Sequence, residues 1–360
     1  MYIFSSPMMM TDATRRDFLK IAVLAPLMPA LMAACRRADT RRVVNFYNWS
    51  NYIGKDTLPE FTRRAGVSVR YDLFADEEEM FAKIRAGARG YDLVVIGDYL
   101  IPRFKSLNLI DAVPSGTLKN MGNLAPRFRR PSYDPDETTI PYLWGTTGIA
   151  YNRRKLAKQP SSWWDLWDPK YKDRISMLDN VRDCVAVAMQ LLRIPQTTRD
   201  PEDFRKVREL LLRQKPLVRQ YSSSSYLNSL VAGEIDLAMT WSGDLFQAAR
   251  DNPDLDYVLP KEGTYMWVDC LAMLRGSRHR EDTLRLIDYL LEPEVAGSIS
   301  NSVRYATPNA KAFPLVEKAL RRDPRVYPTP QTMGQLQLHH ILDPEQSEMW
   351  NQVWADVKVS

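Results

Sequence analysis

Apolar and polar residues change their spacing repeatedly along the chain after residue 41. Alternating or continuous apolar runs predict strands at 43–49, 67–74 and 91–96. Between them, apolar residues at helical spacing predict helices at 58–65 and 76–87. Strands joined by helices in this order indicate βαβ units, in which the strands run parallel and helices cover both faces of the sheet.

A second alternating stretch follows a segment rich in proline and charge at 125–141, which predicts an irregular loop. The strands expected there are 175–178, 235–241 and 267–274, and the helices are 185–192, 201–214 and 281–291. The tail from residue 315 onward is predicted to be helical with proline-rich breaks. A chain of 360 residues with two such stretches is expected to form two lobes.

Residues 1–35 have the pattern of an export signal. Arg15 and Arg16 precede an apolar run at 21–34 that is too short to span a bilayer. The paired arginines indicate the twin-arginine route. The run ends in small residues before Cys35, as at a lipoprotein cleavage site, so we expect Cys35 to be acylated and to tether a periplasmic protein to the membrane. A cleaved signal without a lipid is the alternative.

Composition narrows the choice of partners and compartment. The chain has 49 basic and 44 acidic residues, and this small surplus is scattered, which argues against a nucleic-acid partner. Besides Cys35 the cysteines are Cys184 and Cys270. We expect both to be buried thiols that pack as small hydrophobic side chains, with a disulfide as the alternative in an oxidising compartment.

Sequence motifs for catalysis are scarce. The only histidines are His279, His339 and His340, and none lies in a His-Glu-x-x-His frame. The sequence contains no paired-cysteine zinc spacing, no Gly-x-Ser-x-Gly motif and no phosphate-binding glycine loop. We therefore expect no metal, no cofactor and no catalytic residue, which favours a binding protein over an enzyme.

Aromatic and acidic residues follow the predicted strands at their carboxyl ends, where open α/β sheets bind ligands. The candidates at strand ends are Trp49, Ser50 and Tyr52 after the first strand, Tyr99 after the third, and Asp183, Trp241 and Asp244 after later strands. Trp267 and Asp269 lie two residues apart on one face of a further strand. Aromatic faces attract cations and pack against methylene groups. Asp183, Asp244 and Asp269 could hold the ends of a flexible dication.

Each candidate also has a purely structural interpretation. A tryptophan at a strand end usually packs in the core, and Asp183 or Asp244 could cap a helix. The group Trp163, Trp164 and Trp167 is interpreted as packing within a lobe.

Five segments in order resemble segments of one family, the periplasmic spermidine/putrescine-binding proteins of bacterial ABC importers. They are 46–53, 91–95, 140–148, 260–263 and 305–309, within a likeness that extends from about residue 43 to 330. The resemblance implies the α/β, two-lobed, type II periplasmic-binding-protein fold with a ligand in the hinge cleft. It implies a first lobe of 41–147 with 268–312 and a second of 148–267 with 313–360.

The resemblance also implies ligand contacts by position. It adds Ser223 as a polar contact and Tyr305 as an aromatic wall to the nine candidates above. Asn51 and Asn180 stand where the family usually has acidic residues, so the site lacks negative charge at one end. A diamine or an amino acid-like amine then fits better than spermidine, and Asp98 beside Tyr99 is a candidate to compensate.

The function implied is capture of a polyamine without chemical change. The lobes would close over the ligand, and the closed monomer would be presented to the permease and ATPase of an ABC importer. The alternatives are another solute in the same fold, a sensor role, or an exported glycoside hydrolase in which tryptophans stack on a sugar and two carboxylates act as acid and base, with loss of turnover expected in Asp183→Asn.

Overall fold

Strands and helices alternate through the described part of the chain. The computed structural model describes residues 42–87, 90–114 and 116–360, so the predicted signal segment and Cys35 lie outside it. The strands are β1 (Val43–Trp49), β2 (Ser68–Phe74), β3 (Leu93–Gly97), β4 (Ile110–Asp111), β5 (Ile140–Asn152), β6 (Ile175–Met177), β7 (Val218–Tyr221), β8 (Leu237–Trp241), β9 (Leu255–Val258), β10 (Thr264–Leu274) and β11 (Leu336–Leu338).

The helices are α1 (Thr57–Ala65), α2 (Glu77–Arg85), α3 (Ile101–Ser106), α4 (Val181–Leu192), α5 (Pro201–Gln214), α6 (Tyr226–Val231), α7 (Ser242–Ala248), α8 (Arg280–Leu290), α9 (Pro293–Val303), α10 (Lys318–Arg321), α11 (Pro330–Met333) and α12 (Pro344–Val359). Among the described residues, no helix combines the length and the apolar character needed to cross a membrane.

The strands pair in the order β2-β1-β3-β10-β5-β8-β6-β7. At one end β1 runs parallel to β2 and β3, and at the other β6 runs parallel to β7 and β8, which confirms the parallel βαβ prediction there. In the centre β10 runs antiparallel to β3 and β5. The sheet as a whole is therefore mixed, with parallel ends and an antiparallel centre.

Strand β5 was missed because Pro141, Gly145 and Gly148 are poor strand formers. The strand is buried along its whole length, and its glycines admit large rings: a Cβ on Gly145 would lie 2.6 Å from Cζ2 of Trp267. Its first half pairs with β10 and its second half with β8 and β9. This strand therefore passes from one half of the sheet to the other.

The buried apolar residues form separate cores in two lobes. Strands β1, β3 and β10 carry two core clusters on the first lobe, and β6, β8, α4 and α5 carry a third on the second. Trp350 on α12 packs in the second lobe, whereas Val316, Leu320 and Val326 pack in the first, although the sequence-based boundary places them in the second. The two-lobed α/β fold agrees with the fold expected from the sequence.

Other predictions about packing concern cysteine and tryptophan. Cys184 and Cys270 are free and buried, as expected. Trp163 is fully buried in the second-lobe core and its indole nitrogen donates to the carbonyl oxygen of Gly263 at 3.0 Å, which confirms its packing role. Trp164 is instead exposed.

Candidate ligand-binding site

One cavity of about 460 Å³ lies between the two lobes. It is bordered by residues that follow β1, β3 and β8, by β10, and by the first turn of α4. The structure brings all eleven predicted site residues to its wall: Trp49, Ser50, Tyr52, Tyr99, Asp183, Ser223, Trp241, Asp244, Trp267, Asp269 and Tyr305. These residues meet because the strands that carry or precede them end at the same edge of the sheet. Their contact with a ligand stays a prediction.

The first-lobe wall is built on β10, where Trp267 and Asp269 point to the same side of the strand. Tyr52 donates its hydroxyl to Oδ2 of Asp269 at 2.6 Å. Burial raises the pKa of Asp269 to about 7, and the Tyr52 hydrogen bond only partly opposes this. Tyr305 packs edge-on against both Tyr52 and Trp267, with ring centroids 5.0 and 5.4 Å apart. The aromatic rings of this wall therefore surround the buried carboxyl of Asp269.

The second-lobe wall centres on Asp183. Its Oδ1 accepts from the hydroxyl of Thr147 at 2.7 Å, and its Oδ2 accepts from the indole nitrogen of Trp241 at 3.0 Å. The cap of α4 is Asn180, whose Oδ1 accepts from the backbone nitrogen of Asp183 at 3.0 Å, so the capping interpretation of the Asp183 side chain is wrong. Asp183 is thus held rigidly with its charge at the cavity.

Three contacts join the lobes around the cavity. Tyr305 donates its hydroxyl to Oδ1 of Asp244 at 2.6 Å. The rings of Trp49 and Trp241 meet edge to face at 5.8 Å, and the guanidinium of Arg182 lies 4.2 Å from the ring centroid of Tyr99. Burial raises the pKa of Asp244 to about 6, against the hydrogen bonds from Tyr305 and Tyr226. The side chain of Asp244 therefore contacts the other lobe and does not cap α7.

Comparison with known proteins identifies the family to which this chain belongs. The family model described as bacterial extracellular solute-binding protein matches residues 89–327. The chain belongs to this family. It is 33% identical to the spermidine/putrescine-binding periplasmic protein of Escherichia coli (strain K12), over 84% of this chain and 88% of that protein. It is 31% identical to the putrescine-binding periplasmic protein SpuD of Pseudomonas aeruginosa (strain UCBPP-PA14), over 93% and 97%.

A solved structure agrees with these relatives. A putative spermidine/putrescine ABC transporter protein from Listeria monocytogenes superimposes with a TM-score of 0.84 at 29% identity, covering 88% of this chain and 99% of that one. The resemblance drawn from the sequence is confirmed, as is the two-lobed periplasmic-binding-protein fold. Solute-binding proteins are not a class of enzyme.

Three charged or ionisable residues of this solute-binding protein line the cavity without having been predicted: Glu77, Arg182 and His339. The ring of His339 stacks on Tyr265 at 4.5 Å, and burial lowers its pKa while Asp183, 3.6 Å from Nε2, opposes that shift. Arg182 donates from Nη2 to the carbonyl oxygen of His340 at 2.8 Å. Nothing in the local sequence distinguishes these residues from ordinary helix or loop positions.

Asp98 differs from its expected role. Its side chain is 2% exposed and it is not among the residues that line the cavity. Its Oδ1 accepts from the backbone nitrogen of Tyr99 at 2.9 Å, and burial raises its pKa to about 7. Asp98 therefore lies behind the wall, and Glu77 is the additional carboxyl that reaches the cavity.

Proposed function

We propose that this solute-binding protein captures a small aliphatic amine of the polyamine class and delivers it, unchanged, to the permease and ATPase of an ABC importer. The observation that carries the proposal is one interlobe cavity walled by Trp49, Trp241 and Trp267 and edged by carboxyls from both lobes. The relatives named for spermidine or putrescine support the same class of ligand.

The chemistry of the walls fits a guest with methylene groups between ammonium ends. Indole and phenol faces pack against methylenes and attract cations. Asp244 and Asp269 are buried and have raised pKa values, so ionising them is costly until a cation arrives. An ammonium group would supply that cation, and a neutral or anionic solute would not.

A diamine suits the charge pattern better than a triamine. Asn51 lines the cavity as a neutral amide, and the Asn180 amide is engaged in capping α4. Neither residue brings the negative charge that the resemblance to spermidine binders would place there. We propose putrescine or cadaverine as the favoured guests, with spermidine weaker.

Delivery needs opening and closing of the cleft. Strand β5 pairs with β10 through its first half and with β8 through its second half, so bending along β5 would move the lobes as a hinge. We propose that the protein works as a monomer in the periplasm, tethered through acylated Cys35, with the ligand held between a first lobe that includes 42–147 and 268–326 and a second lobe that includes 148–267. Loss of membrane retention in C35A tests the tether.

Titration calorimetry with putrescine, cadaverine, spermidine and γ-aminobutyrate tests the function. We expect putrescine or cadaverine to bind most tightly, and 1,4-butanediol, which keeps the carbon chain without the charges, to give no heat. Absence of binding by every amine would overturn the proposal. Binding of the diol as tightly as the diamine would show that the carboxyls do not select the ligand.

A further inference from the structure

Glu77 is a buried acid at the cavity wall. It begins α2, directly after the N-cap Asp76, and its residue is 6% exposed. Its Oε1 accepts from the backbone nitrogen of Gly97 at 2.7 Å, and its Oε2 accepts from the hydroxyl of Tyr99 at 2.5 Å. These bonds turn the carboxyl away from solvent and hold it on the first-lobe side of the cleft.

Strand pairing brings Glu77 close to Asp269. Gly97 on β3 lies directly opposite Asp269 on the antiparallel strand β10. Since the Glu77 carboxyl is hydrogen-bonded to Gly97, the two acids border the same part of the cavity. A Cβ on Gly97 would lie 3.2 Å from Oε1 of Glu77 and 3.0 Å from the Tyr99 ring, so the glycine leaves the room that this carboxyl occupies.

The two acids have no basic partner. Within the described ranges, neither Glu77 nor Asp269 has a lysine, arginine or histidine nitrogen within 4.0 Å. Arg182 faces them across the cleft, but its guanidinium lies over the Tyr99 ring. The other charged or ionisable groups facing Glu77 are Glu78, Asp98 and Tyr99, so the surroundings of this pair are predominantly acidic.

Burial and the nearby Asp269 raise the pKa of Glu77 to about 8, against the hydrogen bonds from Tyr99 and Gly97. Two adjacent buried carboxyls without a cation retain a proton because both cannot ionise at once. The arrival of a positive group reverses this balance, because it stabilises the fully ionised pair.

We propose that Glu77 and Asp269 together form the subsite for one terminal ammonium of the guest, and that filling this subsite releases a proton. This inference rests on the proposed amine-binding function and adds a residue to it. The pair places two acids on the first-lobe side of the cavity, whereas Asn51 and Asn180 remain neutral lining residues. The ammonium keeps its own protons, and the proton released comes from the carboxyl pair and passes to the buffer.

The test is calorimetry of putrescine binding near pH 7 in buffers with different ionisation enthalpies. The slope of heat against buffer enthalpy gives the number of protons released. We expect release from the unmodified protein, and in E77Q a smaller release with an affinity lower by at least about tenfold, as for loss of one charge-assisted hydrogen bond. E77D, which restores the charge, should recover part of both quantities.

The matched control is E79Q, on the same helix but at an exposed position away from the cavity. It should bind putrescine and release protons as the unmodified protein does. Unchanged affinity and unchanged proton release in E77Q would overturn the subsite, whereas failure of the unmodified protein to bind any amine would overturn the proposed function itself. If E77Q does not fold, absence of proton release by the unmodified protein is the result that overturns the subsite.

Discussion

The hydroxyl of Tyr305 donates to Oδ1 of Asp244 at 2.6 Å, and this hydrogen bond connects the first lobe to the second at the edge of the cavity. Tyr305 belongs to a first-lobe core cluster and Asp244 lies on α7 of the second lobe. The backbone nitrogen of Asp244 also donates to the Tyr305 oxygen at 3.2 Å. The same carboxyl therefore faces the cavity and holds the lobes together.

Removing this contact should weaken retention of the ligand. Tyr305→Phe keeps the ring against Trp267 but removes the hydroxyl that donates to Asp244 across the lobes. We expect putrescine to dissociate about tenfold faster, in line with about 1.5 kcal/mol, the lower end of the range for one hydrogen bond to a charged group. Stopped-flow displacement measures the rate.

Tyr289→Phe is the matched control for this variant. The hydroxyl of Tyr289 is also buried, but it donates to the carbonyl oxygen of Thr57 within the first lobe. Its loss should leave the dissociation rate unchanged. Equal rates in the unmodified protein and Tyr305→Phe would show that this bond has no part in closure.

Asp183 should be the most sensitive carboxyl of the second lobe. Asp183→Asn removes the charge and places an amide donor against the donors Thr147 and Trp241, which now hold the carboxylate. We expect putrescine affinity to fall by about a hundredfold, since a buried charged contact is worth about 2–3 kcal/mol. Calorimetry measures the affinity.

A neighbouring acid provides the comparison for Asp183. Asp179 pairs with Lys358 at 2.7 Å outside the cavity, so Asp179→Asn should bind putrescine as the unmodified protein does. An equal loss in both variants would mean that the effect is general to this part of the lobe and not specific to the cavity.

Much of the framework could be predicted because it depends on local patterns. The bounds of β1 and α5 match those expected from apolar spacing. The aromatic and acidic candidates line one cleft, as expected for residues near the carboxyl ends of neighbouring strands. Strand β5 could not be predicted, since its proline and glycines serve contacts with distant rings such as Trp267. Glu77 was missed because an acid in the first turn of a helix usually interacts favourably with the helix N-terminus.

The Glu77 side chain reaches the cavity only because the start of α2 packs beside Gly97 on β3. No sequence spacing reports that contact, since the two residues belong to separate elements. The same limit applies to His339, which reaches the cavity from β11's end and stacks on Tyr265. Local patterns therefore define which strands end at the site, and tertiary packing decides which further side chains enter it.

The ligand-free protein should lose stability as the pH rises from 6.5 to 8. The folded-state pKa values of Glu77 and Asp269 are raised to about 8 and about 7, above their values of 4.5 and 3.8 in the unfolded chain. The folded state then binds more protons in this window, so the unfolding free energy falls with increasing pH. His339, whose folded-state pKa is lowered, opposes this trend at the acidic end of the window, because the unfolded imidazole with a pKa of 6.5 is still partly protonated there.

Thermal unfolding at the two pH values measures this effect. We expect a melting temperature lower by about 3 °C or more at pH 8, with a smaller difference in E77Q, and a larger stabilisation by putrescine at pH 8 than at pH 6.5. A ligand-free protein that is equally stable at both pH values would contradict the raised pKa values of the carboxyl pair.

Restoring an acid at residue 180 should shift selectivity toward spermidine. Asn180→Asp keeps the cap of α4, because aspartate is an equally good N-cap and a negative charge is favourable at a helix N-terminus. The new charge lies at the cavity wall beside Asp183, where a third ammonium group would gain a partner. We expect the ratio of spermidine to putrescine affinity to rise by about tenfold, measured by calorimetry.

The control is Asn228→Asp, which adds the same charge at an exposed position of the wall. Solvent screens a charge there, so the ratio should change little. An unchanged ratio in Asn180→Asp would mean that the neutral residue at 180 does not set the preference for a diamine.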